Sequence, residues 1–140
     1  MAKFKKESKY HARKCTLPSG EKFASIKERD RYLELCLLQK AGQIEELQRQ
    51  IPFVLTNSVY EEVQTGEVYQ RGDKKGQPKM KRVCVERPLI YIADFLYTDS
   101  ATGETIVEDV KGYKKGTAYD LFVAKRKLML LIHNIKVREV

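Results

Sequence analysis

The longest apolar run in the chain is Leu89 to Tyr97, LIYIADFLY, broken by a single aspartate, and Thr105 to Lys111, TIVEDVK, follows a turn over Asp99 to Gly103. Short continuous apolar runs of this kind predict strands covered on both faces. Ahead of them, Lys14 to Phe23 reads as a short hairpin turning at Pro18-Ser19-Gly20. Ser25-Ile26-Lys27-Glu28 has the form of a capping box, so a helix is expected from there to about Ala41, stopped by Gly42. Its apolar side would use Ile26, Leu33 and Leu37 with the neighbouring Tyr32, Leu35, Cys36 and Leu38, leaving much of the helix buried. Ile51 to Leu55 suits a strand or a loop end, Tyr119 to His133 a second helix built on Leu121, Phe122, Leu128 and Ile132, and Ile135 to Val140 a closing strand. Helix, strands, helix, strand is the order of an α/β fold, a mixed central sheet flanked by helices.

The stretch 58–88 fits this pattern least. Val59-Tyr60 and Val68-Tyr69 are strand-like pieces, and residues 71–82 form a polar, basic connection. It reads as an extended hairpin inserted in the domain, with a disordered loop as the alternative. The resulting organisation is a basic arm over 1–13 and a single domain over 14–140 carrying the 58–88 insertion.

Composition narrows the function classes. A chain of 140 residues with 42% hydrophobic residues supports one packed core. No apolar stretch approaches the ~20 residues that span a bilayer, and the basic N-terminus lacks the apolar run of a secretory signal, so a soluble intracellular protein is expected. Cys15, Cys36 and Cys84 are odd in number and widely spaced, which argues against a disulfide framework or a CxxC zinc site. His11 and His133 have no His or Cys at ligand spacing, and no glycine-rich loop suggests an organic cofactor.

Charge is more informative in its distribution than in its total of +8. Residues 1–14 carry six Lys/Arg against Glu7, residues 71–87 seven against Asp73 and Glu86, and residues 111–127 six against Asp120. Clustered cations suit a polyanion, because neutralising phosphates releases counterions. Lys74, Lys75, Lys79, Lys81 and Arg82 in the insertion, with Lys114, Lys115, Lys125 and Lys127 further on, are the candidate DNA contacts. A solvated helix face is the alternative for Lys125 and Lys127.

The candidate chemistry lies in the two apolar runs. Asp94 shares a strand face with Ile90, Ile92 and Leu96, since side chains alternate with period two. An ionised carboxylate among such neighbours is expensive unless a cation or donor compensates. Asp109 and Lys111, two apart, face the same way on the next strand, so a tight turn would bring two carboxylates and a lysine together. A hard divalent cation such as Mg²⁺ uses carboxylate oxygens and keeps waters for substrate phosphate. A buried ion pair with Lys111 is the alternative. Glu108 points to the opposite face, and Asp99 and Glu104 read as turn residues.

This arrangement resembles the PD-(D/E)XK nuclease superfamily, with Tyr91-Ile-Ala-Asp94 as its first motif and Asp109-Val110-Lys111 as its acid-x-lysine. Ala93 stands where the superfamily's name has proline. Acid-x-lysine alone is not specific, for Glu7-Ser-Lys9 and Asp73-Lys-Lys75 also match; the order and apolar context carry the likeness. It extends, over residues ~14–57 and 89–140, to a group of small phage-encoded proteins of that superfamily, through Phe23-Ala-Ser25-Ile-Lys-Glu28, Glu108 to Gly112 and Lys125 to Leu128. The resemblance implies a restriction-endonuclease-like core. It further implies a Mg²⁺ ion (Mn²⁺ as substitute) held by Asp94, Asp109, the Val110 carbonyl and Glu28, with Lys111 catalytic and Gln50 near the site by resemblance only. Glu28 acting as a helix cap alone is the alternative. The implied activity is endonucleolytic hydrolysis of DNA, with a homodimeric Holliday-junction-type resolvase acting in the cytoplasm of a bacterial host as the leading form. A nicking or restriction-like endonuclease on duplex and a non-catalytic nucleic-acid-binding module are the other readings.

Overall fold

The computed structural model describes residues 13–140, so the basic arm expected over 1–13 falls almost wholly outside the described residues. The chain divides into two compact units, one running through Phe53 and resuming over Ile92–Val140, the other Val54–Tyr91. Its elements in order are β1 (Cys15–Thr16), β2 (Lys22–Phe23), α1 (Ile26–Lys40), β3 (Ile44–Thr56), β4 (Val59–Val68), β5 (Pro78–Glu86), β6 (Leu89–Asp99), β7 (Thr105–Asp109), α2 (Thr117–His133) and β8 (Arg138–Glu139). A four-stranded sheet runs β3-β6-β7-β8, with β6 and β7 antiparallel and β7 and β8 parallel. The fold is therefore mixed α/β with a mixed sheet. Among the described residues no helix is long and apolar enough to cross a membrane.

Alternation along β6 sets the core of the first unit. Ala93, Phe95 and Tyr97 are buried, whereas Ile92 is 53% exposed and Asp94 and Leu96 are half-buried. One face of β6 is thus closed and the other partly open. Asp94 sits on the open face, which corrects the expectation that both faces are covered. By contrast, β7 buries Ile106, Val107, Glu108 and Asp109 in succession. Phe95, Tyr97 and Ile106 cluster with Leu35 of α1 and Ile44 of β3, and Tyr32, Leu38 and Leu47 pack around them. Tyr32 stacks on Phe95 with ring centroids 6.3 Å apart.

That cluster takes only part of the apolar side expected of α1, the part with Tyr32, Leu35 and Leu38. Ile26, Leu33 and Leu37 are 41%, 42% and 67% exposed, while Glu28 and Leu35 are buried. The helix carries two apolar stripes on opposite sides, and the sheet takes the one with Tyr32, Leu35 and Leu38, the side that also carries Arg31. Arg31 donates from Nε and Nη2 to the two carboxylate oxygens of Glu108, at 2.9 and 2.7 Å, and Tyr97 Oη donates to the same group. A fully buried carboxylate needs this fork and hydroxyl to replace water.

Several boundaries also differ from expectation. The strand expected over 51–55 begins at Ile44 and runs thirteen residues. Its alternation is broken by Glu46 and Gln50, which take φ of 55° and 52°, a left-handed conformation inside a strand that locally turns the backbone. The second apolar strand ends at Asp109 rather than Lys111, α2 begins at Thr117, and the closing strand is only Arg138–Glu139.

The second unit holds an antiparallel hairpin. β4 and β5 pair from Val59↔Glu86 to Val68↔Pro78, with irregularities at Val59/Tyr60 and Gln64/Val68. Within β4 and β5 only Val63 and Lys79 are half-buried, and the rest are exposed.

Candidate functional site

Strand register assembles the site in the first unit. Phe95 faces Glu108 and Leu96 faces Val107 across β6 and β7. One step further along stand Asp94 and Asp109, on the face that does not carry Glu108. Asp94 Oδ2 accepts the Val110 N–H at 2.8 Å. Lys111 Nζ lies 2.7 Å from Asp109 Oδ1 and 4.1 Å from the centroid of the Phe122 ring on α2. The three residues expected to converge from sequence are together, and Glu108 is on the other side of the sheet.

Glu28 and Gln50 join them. Ser25 Oγ caps α1 by accepting the Glu28 N–H at 3.1 Å. The reciprocal half of the box is displaced by one residue, since Glu28 Oε2 accepts from Ala24 N at 3.2 Å rather than from Ser25. This leaves Oε1 to accept from Gln50 Nε2 at 3.3 Å, and the same amide donates to Asp94 Oδ1 at 3.3 Å. Gln50, at φ 52°, therefore bridges a helix N-terminus to the β6 carboxylate. Glu28 is 5% exposed, so its carboxylate is buried at the start of α1 beside Asp94.

Electrostatics in this cluster are dominated by acid. Burial, and next the negative charge of Asp109, push the Asp94 carboxyl up to about 6, with Glu28 adding to the rise and the Val110 amide and Lys111 opposing it. An open cavity of about 740 Å³ borders the group, lined among others by Lys27, Glu28, Asp94, Asp109 and Lys111. Among the described residues no three His, Cys, Asp or Glu side chains gather closely enough to enclose a metal ion. The donor set still fits a hard divalent cation of the Mg²⁺ type, which is held by one or two carboxylates and keeps several waters. Asp94 and Asp109 would supply these, and a cation there would offset the Asp109 repulsion that adds to burial in raising Asp94.

Two residues not expected from sequence support the site. Lys27 Nζ donates to the carbonyls of Lys111 and Val140, both at 2.9 Å, fastening the end of β7 across sequence separations of 84 and 113. Phe122 floors the Lys111 ammonium. Neither has a local sequence signal, because each acts through a partner far along the chain.

The expected DNA contacts fall in both units. In the first, Lys114 pairs with Glu139 at 3.3 Å, Lys115 and Lys127 are exposed, and Lys125 is half-buried. Glu139 is also held by Arg126 at 2.8 Å and by the Tyr119 hydroxyl at 3.0 Å. In the second, Lys74, Lys75, Lys81 and Arg82 are exposed, and Lys79 lies 3.6 Å from Glu67.

No curated protein and no solved structure matches this chain. A family model described as "Protein of unknown function (DUF1064)" matches residues 7–138, and the chain belongs to that family.

Proposed function

We propose that this protein is a divalent-metal-dependent endonuclease that hydrolyses phosphodiester bonds in DNA, with branched DNA as its preferred substrate and a homodimer as its working form. The observation that carries this reading is the opposition of Asp94 and Asp109 across β6 and β7 with Lys111 Nζ 2.7 Å from Asp109. The restriction-endonuclease-like character of the core belongs to the same reading and rests on the motif resemblance.

Asp94, Asp109 and the Val110 carbonyl would hold Mg²⁺, with Glu28 in support. When bound, such an ion supplies positive charge to a phosphoryl oxygen and lowers the pKa of a water. The chain's own residues do the rest. Lys111, steadied by Asp109 and the Phe122 face, offers N–H donors to the phosphate oxygens on which charge builds as water adds to phosphorus. The bridging P–O bond then breaks, giving a phosphate monoester and an alcohol, and the proton lost by water ends on the leaving oxygen through solvent. Gln50 keeps Glu28 and Asp94 at fixed spacing, which limits the reorganisation needed when substrate arrives.

The test compares cleavage of a four-way junction, a flap and linear duplex in Mg²⁺, Mn²⁺ and EDTA by wild type and Asp109→Asn. Metal-dependent cutting of the junction, abolished in Asp109→Asn with DNA binding retained, is the expected result. Equal cutting of linear duplex redirects the reading to a nicking or restriction-like enzyme. Binding without products in any metal, together with no Mg²⁺ uptake by calorimetry, leaves a non-catalytic nucleic-acid module and overturns the proposal.

A further inference from the structure

The hairpin of the second unit carries its own chemistry. Its tip is closed by backbone bonds: Tyr69 N–H donates to Gln77 at 3.0 Å and Gly76 N–H donates to Tyr69 at 2.8 Å. Inside that frame Lys75 N–H reaches Gly72 at 3.1 Å and Gln77 N–H reaches Lys74 at 2.9 Å. Gly72 and Gly76 take φ of 79° and 82°, which a side chain rarely tolerates. The tip therefore has a defined shape despite its polar composition.

That shape sets cations around an aromatic ring. Lys74 Nζ and Lys79 Nζ stand 5.8 and 5.9 Å from the Tyr69 centroid, and lower on the ribbon the Arg82 guanidinium lies 3.9 Å from that of Tyr60. From Arg71 to Arg82 there are six Lys/Arg against Asp73. The ion pair Lys79–Glu67, at 3.6 Å with both side chains substantially exposed, holds Lys79 only weakly. Rings interleaved with cations match the repeat of a nucleic-acid strand, in which each base has a stacking face and each link a negative charge. An acidic peptide would use the cations and leave the rings without a role.

We propose that the tip of the β4–β5 hairpin, Tyr69 with Lys74 and Lys79, is a second nucleic-acid contact that takes an unpaired base on the ring and the flanking phosphates on the lysines. It rests on the nucleic-acid reading above, but not on the carboxylate site. A base inside duplex has both faces covered, so the tip selects strands with unstacked bases, such as single strands and the branch points of junctions. The ammonium groups exchange a cation–ring contact for a stronger cation–phosphate contact as the strand seats.

The test uses the full chain in EDTA, with binding to labelled oligothymidine, an abasic strand of equal length and duplex followed by fluorescence anisotropy. Tyr69→Leu is expected to weaken oligothymidine binding about tenfold or more, Tyr69→Phe to retain it, and the abasic strand to bind wild type and Tyr69→Leu alike. Lys74→Ala and Lys79→Ala should each lower the slope of log affinity against log salt by about 0.7. Equal affinity of Tyr69→Leu and wild type for oligothymidine overturns the inference, as does an equal loss on the abasic strand. Lysine-dependent capture by phosphatidylserine vesicles with unchanged oligonucleotide binding also overturns it, in favour of a membrane surface. Should the chain bind no nucleic acid at all, the inference and the nuclease reading fall together. Tip-insensitive binding alongside metal-dependent cleavage removes the inference alone.

Discussion

The Val110 backbone N–H donates to Asp94 Oδ2 at 2.8 Å, so the residue between Asp109 and Lys111 is tied to the carboxylate on the neighbouring strand. Loss of the Asp94 charge therefore changes the electrostatics of the group without removing an acceptor for that amide. Asparagine at the same position discards the charge and keeps one acceptor oxygen, enough for the Val110 amide but not for the Gln50 amide as well.

Stability should depend on pH through this residue. The folded-state value of about 6, set first by burial and then by Asp109, lies above the ~3.9 of an unfolded aspartate, so folding favours the protonated form. The favourable contribution is complete below about pH 4 and is lost as pH rises through 6. Urea melts in EDTA should show wild type losing about 2–3 kcal/mol over that range, less where solvent screens the site, with Asp94→Asn losing much less. Added Mg²⁺ should reverse the loss in wild type. Parallel pH profiles for the two proteins would refute this account.

Around Glu108 the argument is about pairing rather than pH. Arg31→Met leaves a fully buried carboxylate with only the Tyr97 hydroxyl and Arg138 at 3.9 Å and should cost about 3–5 kcal/mol, whereas Tyr97→Phe removes one donor and should cost about 1–3 kcal/mol. Glu108→Gln introduced beside Arg31→Met should recover part of the loss. Thermal or chemical denaturation of the cycle decides it, and additive losses would mean that the fork does not compensate the buried charge.

Gln50 separates backbone from side-chain effects. At φ 52° an alanine is strained and a glycine is not, so Gln50→Ala should be less stable than Gln50→Gly by about 1 kcal/mol. Both lose the amide bridge between Glu28 and Asp94, and both should be equally impaired in cleavage. A difference in cleavage without one in stability would assign the role to the backbone instead.

Cap and site can be told apart at the start of α1. Ser25→Ala removes the acceptor for the Glu28 N–H and should lower stability by about 1 kcal/mol with modest effect on cleavage. Glu28→Gln keeps an acceptor for Ala24 and should preserve most of the stability while lowering cleavage at saturating DNA. Wild-type cleavage by Glu28→Gln would reduce Glu28 to a cap.

The sequence by itself determined the α/β order, the apolar strands of Asp94 and Asp109 and the capped helix start at Ser25, because each is written in local periodicity or turn chemistry; for residues 58–88 it left a hairpin and a disordered loop open, and the pairing of β4 with β5 decided between them. Only the tertiary structure decided which of two apolar stripes on α1 faces the sheet, where Arg31 meets Glu108 across a separation of 77 residues. It also decided that β3 begins at Ile44, where two residues with positive φ break the alternation a strand is read from. The supports of Lys111 came the same way: Lys27 and Phe122 act through contacts made only when distant segments pack. Local pattern records what a residue prefers; its partners exist only once the chain has closed on itself.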